Sequence, residues 1–248
     1  MKKLLIFLGL LLLLISPFVV YGSWVFTGGT VAGCSYSAQD FSTYTESDEG
    51  SDLTVTSTKV DAVDSSNRDT NIVYKDFTAG YFSGDFTVRF EVYVSAIANF
   101  GILVCWGMSQ AAESVKTTEA SGDNSEDEDA IIFRSYHNGT TKEFNFNILT
   151  DGAFGTKTVI LNNYSYDTLY FVTIARDNSA GANSTGQYTI TIRTTSHTGS
   201  VVGTDTFDAP ASEQNDFRYN FGIDSYDTGS DLYTTGYVQN MEIKECID

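Results

Sequence analysis

Acidic side chains are the residues of this chain best equipped for chemistry, because they occur in groups whose spacing suits an oxygen-ligated cation or a pair of carboxylates. Asp123, Asp127 and Asp129, with Asn124 among them, form one group, and Asp224, Asp227 and Asp231 form another. Calcium takes about six to eight oxygens from such closely spaced groups, so both are candidate calcium sites. Neither has the loop with a terminal Glu that marks the helix-loop-helix calcium site. Solubility in an ionic external medium is the simpler reading of so many acids.

Glu126 and Glu128 raise a different chemistry. Glycoside hydrolysis needs two carboxyls about 5 to 10 Å apart, and residues two apart on a strand share a face at roughly 6 to 7 Å. The stretch that holds them, Ala111 to Asp129, reads as a polar loop, so the pair is not expected to catalyse. His137 and His197 are the only histidines and lie in polar, turn-like sequence, which supports neither a zinc site nor a serine triad. No Gly-rich segment follows a strand and opens a helix, so a phosphate loop has no support.

Tyrosines in loops offer a third chemistry, since an exposed ring beside a few placed polar groups suits a sugar. The candidates are Tyr136 with His137 and Asn138, Tyr164 with Tyr166, and Tyr226 with Tyr233. Trp106 reads as core, because its neighbours alternate as a strand. Three glycosylation sequons begin at Asn138, Asn163 and Asn183 and mark surface loops.

The elements that must position these residues are strands. From Leu53 onward, short segments of period-two alternation are divided by Gly, Asn, Asp and Ser clusters. In Asp85 to Val94, Phe86, Val88, Phe90, Val92 and Val94 face one way. The same alternation aligns Phe144, Phe146 and Ile148, then Tyr188, Ile190 and Ile192, and later Phe217, Tyr219, Phe221 and Ile223. About a dozen strands follow, enough for two packed sheets. Gly22 to Ser51 reads as a Gly/Ser/Thr-rich lead that either docks on the sandwich through its aromatic residues or links flexibly to it.

Lys2 and Lys3, an apolar run from Leu4 to Val20 and small residues at Gly22 and Ser23 form a secretory signal peptide pattern, with cleavage expected after Gly22. The chain is then secreted, without stable membrane insertion. The alternatives are an uncleaved membrane anchor and lipidation at Cys34 after Val31, Ala32 and Gly33. The expected organisation is signal peptide 1–22, lead segment 23–51 and one β-sandwich domain 52–248.

An odd number of cysteines leaves at least one thiol unpaired in a monomer. Cys105 lies inside an apolar strand and is expected as a buried free thiol. Cys34 and Cys246 lie near the ends of an exported chain, where a disulfide between them is expected. The formal charge of −18 repels phosphate backbones and argues against nucleic acid as a partner.

Val73-Tyr74-Lys75-Asp76, the run from Tyr81 to Val88 and the terminal strand Gly236 to Ile243 occur in an order that resembles the concanavalin A-like lectin/glucanase jelly roll, the superfamily that includes laminin G-like modules. The resemblance spans Leu53 to Lys244. It implies an all-β, antiparallel two-sheet sandwich whose first and last strands are neighbours, with ligands bound on the concave sheet or at the loop rim, often beside calcium. The glucanases of this superfamily carry a Glu-x-Asp-x-Glu motif. Here the nearest acidic run, Glu126 to Asp129, has Glu128 in place of the Asp and apolar residues where the second Glu should fall.

The expectation is therefore a secreted, non-catalytic binding or adhesion module for a carbohydrate or surface polymer. A structural or assembly protein of a cell surface or virus-like particle is the alternative. A polysaccharide hydrolase or lyase would require a cleft with paired carboxylates.

Overall fold

Alternation of aromatic and β-branched residues with Thr, Asn and charged residues leaves the extended strand as the conformation that gathers the apolar side chains on one side. A computed structural model describes residues 34–48, 50–66, 71–110, 129–150, 153–182, 185–210, 217–225 and 233–246. In chain order the strands are β1 (Ser37–Ala38), β2 (Thr45–Asp48), β3 (Leu53–Val55), β4 (Lys59–Ser66), β5 (Asn71–Asp76), β6 (Phe86–Ile97), β7 (Ile102–Ser109) and β8 (Ala130–His137). They continue with β9 (Lys142–Thr150), β10 (Ala153–Asn162), β11 (Leu169–Asp177), β12 (Gln187–Thr194), β13 (Val201–Asp208), β14 (Tyr219–Ser225) and β15 (Tyr233–Lys244). A 3-10 turn, Phe41–Thr43, is capped by the Asp40 carboxylate, which accepts from the Ser42 amide.

The strands form two antiparallel sheets. One runs β13, β12, β11, β6, β15, β4, β3, with β1 beside β15, and the other runs β10, β9, β8, β7, β14, β5, β2. The aromatic core lies between them. Phe90 of β6 stacks on Trp106 of β7 with ring centres 6.2 Å apart, and Phe133, Phe144 and Phe146 continue the layer across the seven-stranded sheet. Each such side chain contributes roughly 1.5 to 3 kcal/mol on burial.

Trp106 carries an indole N–H into this core, and it donates to Asn220 Oδ1 at 2.8 Å. Asn220 Nδ2 in turn donates to the Tyr44 hydroxyl at 3.0 Å. That chain of bonds holds the residues before β2. Phe41 and Tyr44 are buried, β1 pairs with β15 and β2 pairs with β5. Ser35–Asp248 forms one compact unit that includes β1 and β2.

Two bulges alter the alternation read from sequence. Phe217, before β14, and Ile223 lie in the main core, whereas Tyr219 and Phe221 face the other side of the sheet; the change from Phe221 to Ile223 follows from a register shift of β14 between them. Gly222 sits at that shift with no room for a side chain: an added Cβ would stand 2.8 Å from the Phe41 ring. On β7 a shift between Val104 and Trp106 turns both Cys105 and Trp106 into the core. Cys105 is buried and free, and Cys34 and Cys246 are disulfide-bonded.

Candidate functional site

Strands β8 and β9 carry polar side chains onto the outer face of the seven-stranded sheet. Phe144, Phe146 and Ile148 point into the core, so alternation turns Glu143, Asn145 and Asn147 to the opposite side. Register then sets Arg134 across from Asn145, Tyr136 across from Glu143, and Lys157 of β10 across from Asn147. Toward β14 and β5 the same face becomes apolar, with Val104, Ile132, Leu149 and Phe221 in a second hydrophobic cluster edged by Tyr74, Tyr136 and Tyr219.

Two cations share the Tyr136 ring. The Arg134 guanidinium lies 5.4 Å from its centre and the Lys157 ammonium 4.8 Å. Lys157 also donates to Glu143 Oε2 at 3.0 Å, while Asn138 and Thr141 donate to Oε1 at 2.8 and 3.1 Å. Burial alone would push the Glu143 carboxyl up. The Lys157 ammonium and the Thr141 hydroxyl outweigh it, with the Asn145 amide adding its dipole from beyond hydrogen-bond distance, and the group is held below its usual value. With its amide oxygen turned toward β8, Asn147 accepts from Arg134 Nη2 and Nε at 3.1 and 3.2 Å.

Asn145 stands apart. It is fully buried, and among the described residues neither its amide nitrogen nor its oxygen has a hydrogen-bond partner. Leaving such a group unsatisfied costs about 1 to 3 kcal/mol. Tyr136, Asn138 and Lys157, at the margin of the same patch, reach solvent.

The residues read from sequence fare unequally. Tyr136 and Asn138 are brought together at this patch. Tyr164 is not available to a ligand: it is buried against Phe144 with its hydroxyl bonded to Ser135 at 2.6 Å, and burial pushes its phenol far above the usual range. Tyr166 is half-buried, donates to the Ile97 carbonyl and carries Lys142 over its ring. Tyr233, at the start of β15, is 50% exposed. Tyr226 lies outside the described residues, as do Asp123, Asp127, Asp227, Asp231, Glu126 and Glu128. Asp129 is buried beside Gln110 at the start of β8, and Asp224 is in β14. Among the described residues no group of three or more His, Cys, Asp or Glu side chains is placed to hold a metal ion.

Arg134, Asn145, Asn147 and Lys157 were not singled out by their types. The available signal was the polar half of the Glu143, Asn145, Asn147 alternation, three hydrogen-bonding side chains in a row on one strand face.

No family model matches the sequence, and no curated protein does. Solved structures do match. An alginate lyase mutant in complex with alginate trisaccharide superposes with a TM-score of 0.56 at 14% identity, over 86% of this chain and 95% of that one. A functionally unknown protein from Saccharomyces cerevisiae gives 0.52 at 9% identity, over 85% and 100%. The exoplasmic/lumenal domain of VIP36 in a calcium- and mannose-bound form gives 0.52 at 11% identity, over 83% and 82%. The fold is the concanavalin A-like jelly roll. The outer face of the seven-stranded sheet holds a cluster of buried polar groups, Arg134, Glu143, Asn145 and Asn147.

Proposed function

We propose that this chain is an exported, non-catalytic glycan-binding protein that takes its ligand at the polar end of the outer face of the seven-stranded sheet. The observation that carries this reading is Asn145, a fully buried amide with no partner, across from Arg134 on β8 and Val159 on β10, with Tyr136 and Lys157 diagonal to it on the same two strands. A sugar offers paired hydroxyl donors and acceptors that would satisfy that amide. The Tyr136 ring supplies a surface for a pyranose to stack on. Alginate trisaccharide and mannose ligands in fold neighbours support a glycan as the ligand class.

A second reading has a specific observation behind it. A polyuronate lyase needs a cation and amides to neutralise the sugar carboxylate. It also needs a base that removes the adjacent carbon-bound proton while the glycosidic C–O bond breaks, and an acid that protonates the departing oxygen. Arg134 and the amides of Asn145 and Asn147 stand beside Tyr136 and Lys157. Two assays on the purified chain separate the readings. Binding of alginate and mannan oligosaccharides, abolished in Asn145→Leu and without appearance of an unsaturated product, supports the binding protein. Accumulation of that product, lost in Tyr136→Phe, establishes the lyase.

A further inference from the structure

On the opposite sheet, a β-bulge borders a pocket. Gln239 pairs with Glu91 and Glu242 pairs with Arg89, so Asn240 and Met241 together face the single residue Phe90. Asn240 adopts a left-handed φ of 52°, and its N–H leaves the ladder to donate to the Thr58 carbonyl at 2.8 Å. Bulges of this kind re-aim side chains next to binding sites. The pocket has a volume of about 290 Å³; Ala38 and Met241 give it apolar wall, and Glu91, Glu242, Asn240, Gln39, Thr58 and His197 supply its polar groups.

Two of its polar groups are carboxylates. Glu91 takes one hydrogen bond, from the neutral amide of Gln239 at 2.6 Å, whereas Glu242 is ion-paired with Arg89. His197 packs edge-on against Phe171, and its Nδ1 is buried without a partner. Burial first, then the Arg89 charge, hold the imidazole below its ordinary value against the opposing pull of Glu91 and Glu242. Neutral imidazole has one nitrogen as an acceptor.

We propose that this cavity is a second ligand site, selective for a small hydroxyl-rich molecule that carries an amine, of the amino-sugar class. The acceptors of Glu91, Glu242 and His197 are satisfied by a ligand with O–H and N–H donors. An ammonium group is the complement of a carboxylate whose protein donor is neutral, and hydrogen bonds to a charged group are the stronger kind. The site uses none of the residues of the seven-stranded sheet, so it stands or falls independently of the glycan reading above.

The test is a calorimetric titration of the whole chain with glucosamine, with N-acetylglucosamine and glucuronate as comparators. Glucosamine is expected to bind. Acetylation of the amine and Glu91→Gln are each expected to weaken binding about tenfold or more, while Asn145→Leu leaves it unchanged. Because Gln at position 91 can still accept from Gln239, loss of fold does not account for the effect, and an unchanged melting temperature verifies this. Absence of glucosamine binding, equal binding by Glu91→Gln, or tighter binding of glucuronate would each overturn the proposal.

Discussion

Asn145 stands directly across from Arg134 on the neighbouring antiparallel strand, and both side chains are buried on the face of the sheet that points away from the core. An amide kept there without a partner is a stability cost that an apolar side chain of similar size would remove. Asn145→Leu is therefore expected to raise stability by about 1 kcal/mol, roughly 2 to 4 °C in melting temperature for a domain of this size. A fall of similar size, measured by thermal melting, would mean that the amide is satisfied.

Glu143 supplies a pH-dependent contribution whose sign is fixed by its depressed carboxyl. A group with a lowered folded-state pKa adds stability above its unfolded value, about 4.3 for Glu, and loses that stability as the pH falls through the folded value. Wild type and Glu143→Gln should differ in melting temperature at neutral pH by a few degrees, about 1 kcal/mol. The two curves should converge below the carboxylate range. Parallel curves over the whole range would show that the Lys157 contact contributes nothing.

Gly222 marks the point where β14 changes register, and its missing side chain makes room for Phe41. Gly222→Ala should cost about 1 to 3 kcal/mol through overpacking. Protection of the Tyr44 and Phe41 amides from hydrogen exchange should fall with it, since these residues dock the segment before β2.

Cys105 is fully buried, and burial pushes its thiol up to about 12. The thiolate is the reactive form, so alkylating reagents at neutral pH should leave this cysteine unmodified in the native chain and label it once denaturant unfolds the sandwich. Labelling at native conditions at the rate of a small-molecule thiol would contradict the burial of β7.

Most strands could be read from sequence because burial of one face leaves a period-two imprint. The run from Phe86 to Val94 is as regular in the sheet as in the sequence, with Phe86, Val88, Phe90, Val92 and Val94 all buried. The imprint fails where a bulge inserts a residue, and neither Gly222 nor Cys105 announces one. It also fails for the tyrosines. Tyr136 and Tyr164 stand in similar polar surroundings in sequence, yet the register of β8 puts one at the margin of the outer face. The stacking of Phe144 draws the other into the core. The site was less legible than the fold because its residues come from three strands, β8, β9 and β10, whose adjacency is a property of the sheet order.

The most direct test of glycan recognition at this face is a calorimetric titration of the purified chain with alginate and mannan oligosaccharides, repeated with Asn145→Leu. Binding by the wild type that is lost in a variant at least as stable as the wild type is the expected result. Binding that survives Asn145→Leu undiminished, or no binding of either oligosaccharide by the wild type, would contradict it.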